Sequence, residues 1–403
     1  MASPSDSGDL LNHDESVDMD STAAQERQNF ESVIAAFLNY KVSSLQKINA
    51  TEAYFSRLPS HHQEMLKKYT GTFKKIRDCI DQNFNIIRLL LMHVNSIFDE
   101  EQQQPDKAVI SHNYPEARLQ FNEIEGSHHV EAFKSLKVEI TLKLFARDWS
   151  LEGAEEREQC YSPIIDAITE AFNPEECDVS RVRVLVPGAG LGRLAYELAY
   201  RGYFCEGNEF SYFMLIASNF ILNKCLYADQ HTLYPWIHQY VNNVKREDQI
   251  RPITFPDVSP IQAPPSGKFN MVAGDFLQVY NDWDAWDCVA TCFFIDCANN
   301  VVEFVERIYR ILRPEGIWVN LGPLLYHYSD ILNEGSIEPT YEDLQSVIET
   351  VGFKFLRNET GVRTKYSQNP RSMQQSEYLS VFFVCQKPKE ATTSDDGELD
   401  GIE

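Results

Sequence analysis

The spacing of apolar residues divides the chain into two regions. In residues 25–101, apolar side chains recur three and four positions apart, as in the run of Phe30, Val33 and Phe37. This spacing places them on one face of an α-helix, and it predicts an N-terminal helical region, residues 25–130, that contains three helices. The third of these predicted helices covers residues 84–98.

Residues 102–129 interrupt the helical pattern. They are polar and contain Pro105 and Pro115, which predicts a linker. Helical spacing then resumes over residues 130–149 and 155–172, and both segments are predicted to be helices.

After Arg181 the pattern changes to short apolar runs that alternate with helical segments. Seven runs have the length of strands, at residues 182–187, 203–210, 268–276, 286–296, 316–322, 353–359 and 378–386. This alternation predicts an α/β fold whose parallel sheet is covered on both faces, in a domain that covers residues 131–388. Residues 229–268 are predicted to be an insertion between the second and third strands, and the last two runs to form a hairpin-like pair with an antiparallel edge strand.

Composition narrows the functional classes. With 43% hydrophobic residues among 403, the chain can bury a large core. Its formal net charge of -24 argues against an electrostatic nucleic-acid binder and against docking on an anionic membrane. Twelve of the 60 acidic residues lie in residues 1–25 and 389–403, and the two ends, 1–24 and 389–403, are predicted to be disordered acidic tails.

The lack of targeting signals and the pattern of cysteines narrow the class of protein further. No apolar run reaches the ~18–20 residues of a membrane span, and the first residues lack the basic start and apolar stretch of a secretory signal. We therefore expect a soluble, intracellular protein. The nine cysteines are scattered and contain no C-x-x-C pair, so no metal site is expected.

A glycine-rich turn is the sharpest local signal. Gly188, Gly190 and Gly192 follow the first buried strand and precede a helix, with the spacing G-x-G-x-G. Glycines at such a turn let a cofactor approach main-chain N–H groups. A tight turn between strand and helix without a ligand is the alternative.

Acidic residues follow the next two strands. Glu209 lies 19 residues after Gly190, where a carboxylate can accept both hydroxyls of a ribose, with Glu206 as a rival acid and a solvated loop as the alternative. Asp275 ends the third strand and can accept from an adenine amino group, with Phe276 against the ring. A turn acid that caps the next segment is the alternative for Asp275.

Further candidates for chemistry lie at the later strand ends and upstream of the sheet. Asp296 and His327 follow the fourth and fifth strands, although a helix cap and a surface histidine are the respective alternatives. Arg147 could hold a cofactor carboxylate through two hydrogen bonds, or form a surface salt bridge. Tyr366 and Tyr378 flank the last strand pair and could bind a substrate or be structural.

The motifs together closely resemble the carnosine N-methyltransferase family. The strings that carry the resemblance are VLVPGAGLGRLAYELA, GNEFSYFML, LYPWIHQY, QIRPITFPDV, AGDF, WDCVATCFFIDCANN and GIWVNLGPLLYH. The resemblance covers roughly residues 25–387, and it implies a Rossmann-like class I methyltransferase domain that uses S-adenosyl-L-methionine.

The resemblance also implies roles for individual residues. The cofactor contacts that it implies are Arg147, Gly188, Gly190, Glu209, Asp275, Phe276 and Cys292. The residues that it associates with the histidine-containing dipeptide are Asp296, His327, Tyr378 and, with a weaker match, Tyr366. The family has a glutamine three residues before the arginine, where this chain has Leu144, so that contact is not carried over.

The implied reaction is methylation of the imidazole of carnosine (β-alanyl-L-histidine) to give anserine. In our hypothesis His327 is the general base and Asp296 fixes the ring tautomer. A methyltransferase for histidine or other side chains in peptides or proteins, and a cofactor-binding scaffold without turnover, are the alternatives. The resemblance further implies a homodimer. The cytoplasm is the expected compartment, with the nucleus as a second.

Overall fold

The structure is a computed structural model that describes residues 14–92, 94, 128–261, 268–331 and 335–389. Residues 102–127 of the predicted linker, most of the C-terminal tail and residues 1–13 of the N-terminal tail lie outside these residues, and residues 128–129 begin a helix. The chain forms two units. One comprises Met1–Leu142, Thr232–Val241 and Lys245–Pro252, and the other comprises Lys143–His231, Asn242–Val244 and Ile253–Glu403.

The first unit is largely helical, and residues 14–91 form three helices, the number predicted, although their limits differ from the predicted ones. The helices are α1 (Asp14–Phe55), α2 (Ser60–Met65) and α3 (Lys67–Leu91). Residues 84–91 of the predicted third helix are the end of α3, because no proline or glycine after Gly71 interrupts the pattern, and residues 93 and 95–98 lie outside the described part of the chain. Helix α1 begins at Asp14, before the predicted start of the helical region at residue 25.

Part of the insertion belongs to this helical unit. The amide of Asn83 on α3 donates to the Tyr40 hydroxyl and to the Tyr234 carbonyl, both at 2.9 Å, and accepts from the Tyr234 N–H at 2.8 Å. The His238 ring nitrogen Nε2 lies 3.0 Å from the same hydroxyl. Asn83 and Tyr40 are buried, so these hydrogen bonds satisfy polar groups that water cannot reach.

The second unit contains a twisted sheet. The strands of the chain are β1 (Arg183–Pro187), β2 (Phe204–Glu209), β3 (His231–Leu233), β4 (Ile253–Phe255), β5 (Phe269–Ala273), β6 (Trp286–Cys292), β7 (Leu312–Gly322), β8 (Lys354–Thr364) and β9 (Tyr378–Gln386). Seven of these described strands form one sheet in the order β5-β2-β1-β6-β7-β9-β8. The first five in this order run parallel, which confirms the predicted α/β fold class.

The remaining helices are α4 (His128–Trp149), α5 (Ala154–Cys160), α6 (Ser162–Ala171), α7 (Arg193–Tyr200), α8 (Tyr212–Lys224), α9 (Arg246–Gln249), α10 (Phe276–Val279), α11 (Val301–Ile311) and α12 (Tyr341–Val351). The single helix predicted over residues 155–172 is therefore two. Pro163 explains the break, because proline has no N–H for an interior helix bond and is favoured in the first turn. Within the described ranges, none of the helices combines the length and apolar character that a membrane span needs.

Two apolar layers cover the sheet, one on each face. Successive side chains of a strand point to opposite faces, so Val184 and Val186 pack with α6 and α7, whereas Leu185 packs with α11. Residues in both layers are almost fully buried. This two-sided burial is why the parallel strands read as continuous apolar runs.

The predicted final pair of strands forms, with β8 at the edge of the sheet and β9 one position inside it. β9 pairs antiparallel with β7 on one side and with β8 on the other. Residues of β9 from Ser380 to Cys385 are buried, while β8 is mostly exposed and polar. The apolar strand therefore takes the interior position, and the polar strand takes the edge, where charged side chains are tolerated.

Truncation of a core residue tests this architecture. Ile308 on α11 is fully buried against the sheet, so Ile308→Ala should lower the free energy of unfolding by about 2–5 kcal/mol in a denaturant titration. The matched control is Leu356→Ala on the exposed edge strand, which should change it by about 0.5 kcal/mol or less. Equal effects of the two variants would contradict the described packing of α11.

Candidate active site

The glycine turn adopts a backbone that requires glycine and leaves space beside it. Gly188, Gly190 and Gly192 have φ angles of 65°, 55° and 80°, in the left-handed region. A Cβ on Gly188 would lie 2.5 Å from the Phe294 ring, whereas one on Gly190 meets no heavy atom of the described chain within 4 Å. Open space at Gly190 is what a ligand at this turn requires.

Hydrogen bonds tie this turn to the neighbouring strand ends. The buried Trp149 indole donates to the Leu191 carbonyl at 3.0 Å. The Ala189 N–H donates to the Asn208 carbonyl at 2.9 Å, and the Asn208 amide donates to the Gly274 carbonyl at 2.9 Å. The carboxyl ends of β1, β2 and β5 are therefore held together at one edge of the sheet, where ligands bind in such folds.

Glu209, at the end of β2, is oriented by the main chain. Its Oε2 accepts from the Gly190 N–H at 2.9 Å, and its Oε1 accepts from the N–H groups of Phe210 and Ser211 at 2.9 and 2.8 Å. Each carboxylate oxygen can accept more than one hydrogen bond, so the group can also receive ligand hydroxyls.

The rival acid, Glu206, has a different environment. Its carboxylate accepts from the Tyr280 hydroxyl at 2.8 Å and from the Asn270 amide at 3.4 Å. Burial and this neighbouring carboxylate raise the pKa of the Tyr280 hydroxyl, so the phenol stays protonated and donates. Glu206 thus holds α10 and β5 rather than facing the glycine turn.

Asp275 shows the helix cap that was the alternative to a ligand contact. Its carboxylate accepts from the Leu277 N–H at 2.7 Å at the start of α10. The ring of Phe276 is 3% exposed and packs against Phe294 and Phe304. A ligand at this strand end would therefore meet the main chain of Phe276 more than its ring, and the adenine contact stays a prediction.

Arg147 near the end of α4 is buried, which excludes the surface salt bridge. Its Nη1 donates to Asp148 Oδ1 and to the Tyr161 hydroxyl, both at 2.8 Å. Its Nε is buried, and no described residue accepts a hydrogen bond from it; the Glu156 carboxylate lies 3.8 Å away. A buried guanidinium with an unused donor suits a carboxylate ligand.

An aromatic group lies against Arg147. The Tyr366 ring is 4.7 Å from the guanidinium, and the Phe293 ring is 4.9 Å from Tyr366 and 5.8 Å from Tyr378. Burial raises the pKa of the Tyr366 hydroxyl, which therefore stays protonated. Phe293 is not among the predicted site residues, although its place between Cys292 and Asp296 at a strand end was an available signal.

Asp296 and His327 come together beyond the ends of β6 and β7. The Asp296 carboxyl accepts from the Leu325 N–H at 2.9 Å, and the Asp296 carbonyl accepts from the His327 N–H at 3.0 Å. Burial raises the pKa of the Asp296 carboxyl, against the opposing effects of the Leu325 N–H and His327. Asp296 does not cap α11, because Asn300 does so by accepting from Val302.

The surroundings of this pair matter for binding. Asp296 is 2% exposed, and its Oδ1 receives no hydrogen bond from the residues that the structure describes. The His327 side chain is exposed to solvent. Asp296, Cys297 and His327 bring three polar side-chain atoms within 4.8 Å of one another, and side chains of these kinds can also hold a divalent cation.

Cys292 and Leu144 complete the predicted set. Cys292 ends β6, and its thiol lies 3.9 Å from the Cys160 carbonyl. Burial raises the pKa of this thiol, so it is a neutral group rather than a nucleophile. Leu144 is 4% exposed and apolar, so it cannot replace a glutamine contact.

Taken together, these features define the class of protein. The sheet has a glycine turn after β1, a carboxylate after β2 and an acidic helix cap after β5, and a reversed strand lies next to its edge. This combination defines a Rossmann-like methyltransferase fold. Residues 125–389 match the family model described as carnosine N-methyltransferase. The chain belongs to the carnosine N-methyltransferase family.

Individual proteins with similar sequences include named carnosine N-methyltransferases. The chain is 51% identical over 372 residues to carnosine N-methyltransferase unmet of Drosophila melanogaster, covering 90% of this chain and 80% of that protein. It is 44% identical over 364 residues to carnosine N-methyltransferase of Rattus norvegicus, covering 90% and 87%. A solved SAM-dependent methyltransferase from Methanosarcina mazei is 13% identical, with a TM-score of 0.35, over 52% of this chain and 93% of that chain.

Two glycine substitutions separate strain from ligand contact. Gly190→Ala should weaken binding of S-adenosylhomocysteine at least about tenfold by calorimetry, because its methyl group enters the open space, and cost only about 1–2 kcal/mol of stability from the left-handed backbone. Gly188→Ala, whose methyl group meets Phe294, should lower the melting temperature more. Unchanged affinity in Gly190→Ala would contradict a ligand at this turn.

Proposed function

We propose that this chain transfers a methyl group from S-adenosylmethionine to an imidazole nitrogen of carnosine, giving anserine. Family membership supports the reaction class, since the relatives are named carnosine N-methyltransferases. The single observation that carries the proposal is the buried Asp296 carboxyl beside His327, with an oxygen that no described residue donates to. A homodimer, and a cytoplasmic and nuclear location, stay predictions.

The residues present fit the cofactor. Arg147 offers a buried donor for its carboxylate, Glu209 offers acceptors for its ribose hydroxyls, and Gly190 leaves the space beside the turn open. When bound, S-adenosylmethionine supplies an electrophilic methyl group on a cationic sulfur. The Glu209 carboxylate at the glycine turn would help to compensate for that positive charge.

The imidazole substrate needs two things from the protein. Its attacking nitrogen must be unprotonated and held about 3–3.5 Å from the methyl carbon, in line with the breaking bond. The N–H on its other nitrogen becomes acidic as the methyl group is transferred. In our proposal His327 accepts that proton as a general base, and Asp296 fixes the tautomer and orientation of the His327 ring by hydrogen bonding.

Tyr366 and Tyr378 form the wall of the dipeptide site in this proposal. Both contact the Phe293 ring, and Phe293 follows directly after the end of β6, three residues before Asp296. Aromatic side chains suit an imidazole ring because they offer flat apolar faces as well as hydroxyl groups. The left-handed backbone of Phe293, with φ at 53°, points to a functional constraint at this residue.

Substitutions in the pair test the roles. His327→Ala and Asp296→Asn should each lower kcat for carnosine methylation by about 10²–10⁴-fold, because proton acceptance or the correct tautomer is lost. The dissociation constant for S-adenosylhomocysteine should stay within about twofold. Asp330→Asn, an exposed acid three residues beyond His327, serves as the control and should behave like the wild type. Near-normal kcat in His327→Ala would exclude it as the base.

The acceptor is identified by following the methyl group. Purified protein is incubated with methyl-labelled S-adenosylmethionine and, in separate reactions, carnosine, histidine-containing peptides or a cell lysate. We expect label in carnosine, in a product that co-migrates with anserine, and a much slower appearance of this label with Asp296→Asn. Label only in peptides or a protein band would support the alternative of side-chain methylation, and cofactor binding without any transfer would leave a scaffold.

A further inference from the structure

Glu156 on α5 is a buried carboxylate that none of the cofactor and substrate roles above uses. Its side chain accepts two main-chain hydrogen bonds from the loop between β8 and β9. The Ser367 N–H donates to Oε2 at 2.7 Å, and the Gln368 N–H donates to Oε1 at 3.0 Å. The residue is 9% exposed, so these charge-assisted bonds are largely shielded from water and are stronger than typical surface contacts.

The two amides follow directly after Tyr366, one of the predicted substrate residues. Ser367 has a φ of 52°, a left-handed conformation that a serine rarely adopts unless its surroundings impose it. The Glu156 carboxylate supplies that constraint, because it binds the N–H of Ser367 and the next one. The position of the Tyr366 ring, between Arg147 and Phe293, therefore depends on a turn that Glu156 fixes.

Glu156 also lies close to the cofactor side of the site, but it does not hold that side in place. Its carboxylate is 3.8 Å from Arg147 Nε, beyond hydrogen-bond distance. Arg147 is anchored separately by Asp148 and Tyr161, each at 2.8 Å. Removal of Glu156 should therefore release the loop and leave the guanidinium in place.

We propose that Glu156 is a positioning residue for the dipeptide, which sets the Tyr366 loop against Arg147 so that the substrate wall is formed before the dipeptide binds. The inference rests on the proposed function for its substrate. A wall that is already in place lowers the entropic cost of binding. Loss of Glu156 should raise KM for the dipeptide while the affinity for the cofactor is retained.

Glu155 provides a matched control on the same helix. Its carboxylate pairs with Lys365, the residue on the other side of Tyr366, at 3.3 Å, but Glu155 is 70% exposed. Such an exposed pair contributes little to stability. Glu155 and Glu156 thus both connect α5 to the same loop, and only the second does so through buried main-chain bonds.

The test compares Glu156→Gln, Glu156→Ala and Glu155→Gln with the wild-type protein. Steady-state kinetics give KM and kcat for carnosine, calorimetry gives the dissociation constant for S-adenosylhomocysteine, and hydrogen exchange reports the Ser367 and Gln368 amides. We expect Glu156→Ala to raise KM at least about tenfold, with cofactor affinity within about threefold and faster exchange of both amides. Glu156→Gln keeps one acceptor oxygen and the side-chain volume, so its KM should be intermediate, and Glu155→Gln should match the wild type.

Each outcome decides the inference. An unchanged KM, or unchanged exchange at Ser367 and Gln368 in Glu156→Ala, overturns it. Parallel losses of kcat, cofactor affinity and melting temperature in Glu156→Gln would also overturn it, because they would show a general structural role. If the wild-type protein does not methylate carnosine, the proposed function fails and the substrate part of the inference fails with it. The exchange data still decide whether Glu156 anchors the loop.

Discussion

The buried guanidinium of Arg147 is the group on which both halves of the site depend. A charge inside a protein must be compensated, and here Asp148, the Tyr161 hydroxyl and the nearby Glu156 carboxylate do so. Its remaining donor is available to a cofactor carboxylate, and its flat face supports the Tyr366 ring. Cofactor and substrate would thus contact different parts of one side chain, which Asp148 and Tyr161 hold in place.

The acidic residues with predicted binding roles have side chains that backbone hydrogen bonds hold in place. Glu209, Asp275 and Asp296 each accept a hydrogen bond from a backbone N–H group. For Glu209 and Asp275 the donor lies two residues further along the chain, and for Asp296 it lies in the loop after β7. Backbone donors cannot rotate away as side chains can, so these carboxyl groups are preorganised for a cationic cofactor and an imidazole. The net charge of -24, by contrast, does not indicate which acidic residues take part in binding, since a fifth of the acidic residues lie in the two tails.

Much of this site could be predicted because its signals are local. β1 and β2 begin and end within one residue of the predicted limits, and the glycines after β1 do take the backbone that only glycine adopts readily. The position of Phe276 could not be predicted, since whether an aromatic ring faces a ligand or the core depends on Phe294 and Phe304, which are distant in sequence. The same holds for Phe293 and Glu156, because both contact the loop between β8 and β9. That loop lies more than seventy residues after Phe293 and more than two hundred after Glu156.

The sequence by itself determined the alternation of strands and helices, the glycine turn and the acids at the strand ends, because side-chain periodicity and backbone preference act over a few residues. Only the tertiary structure decided that β9 lies inside the sheet and β8 at its edge, and that Arg147 is buried beside Tyr366. These outcomes depend on which apolar surfaces and which charges can be buried together, a balance that involves partners from the whole chain.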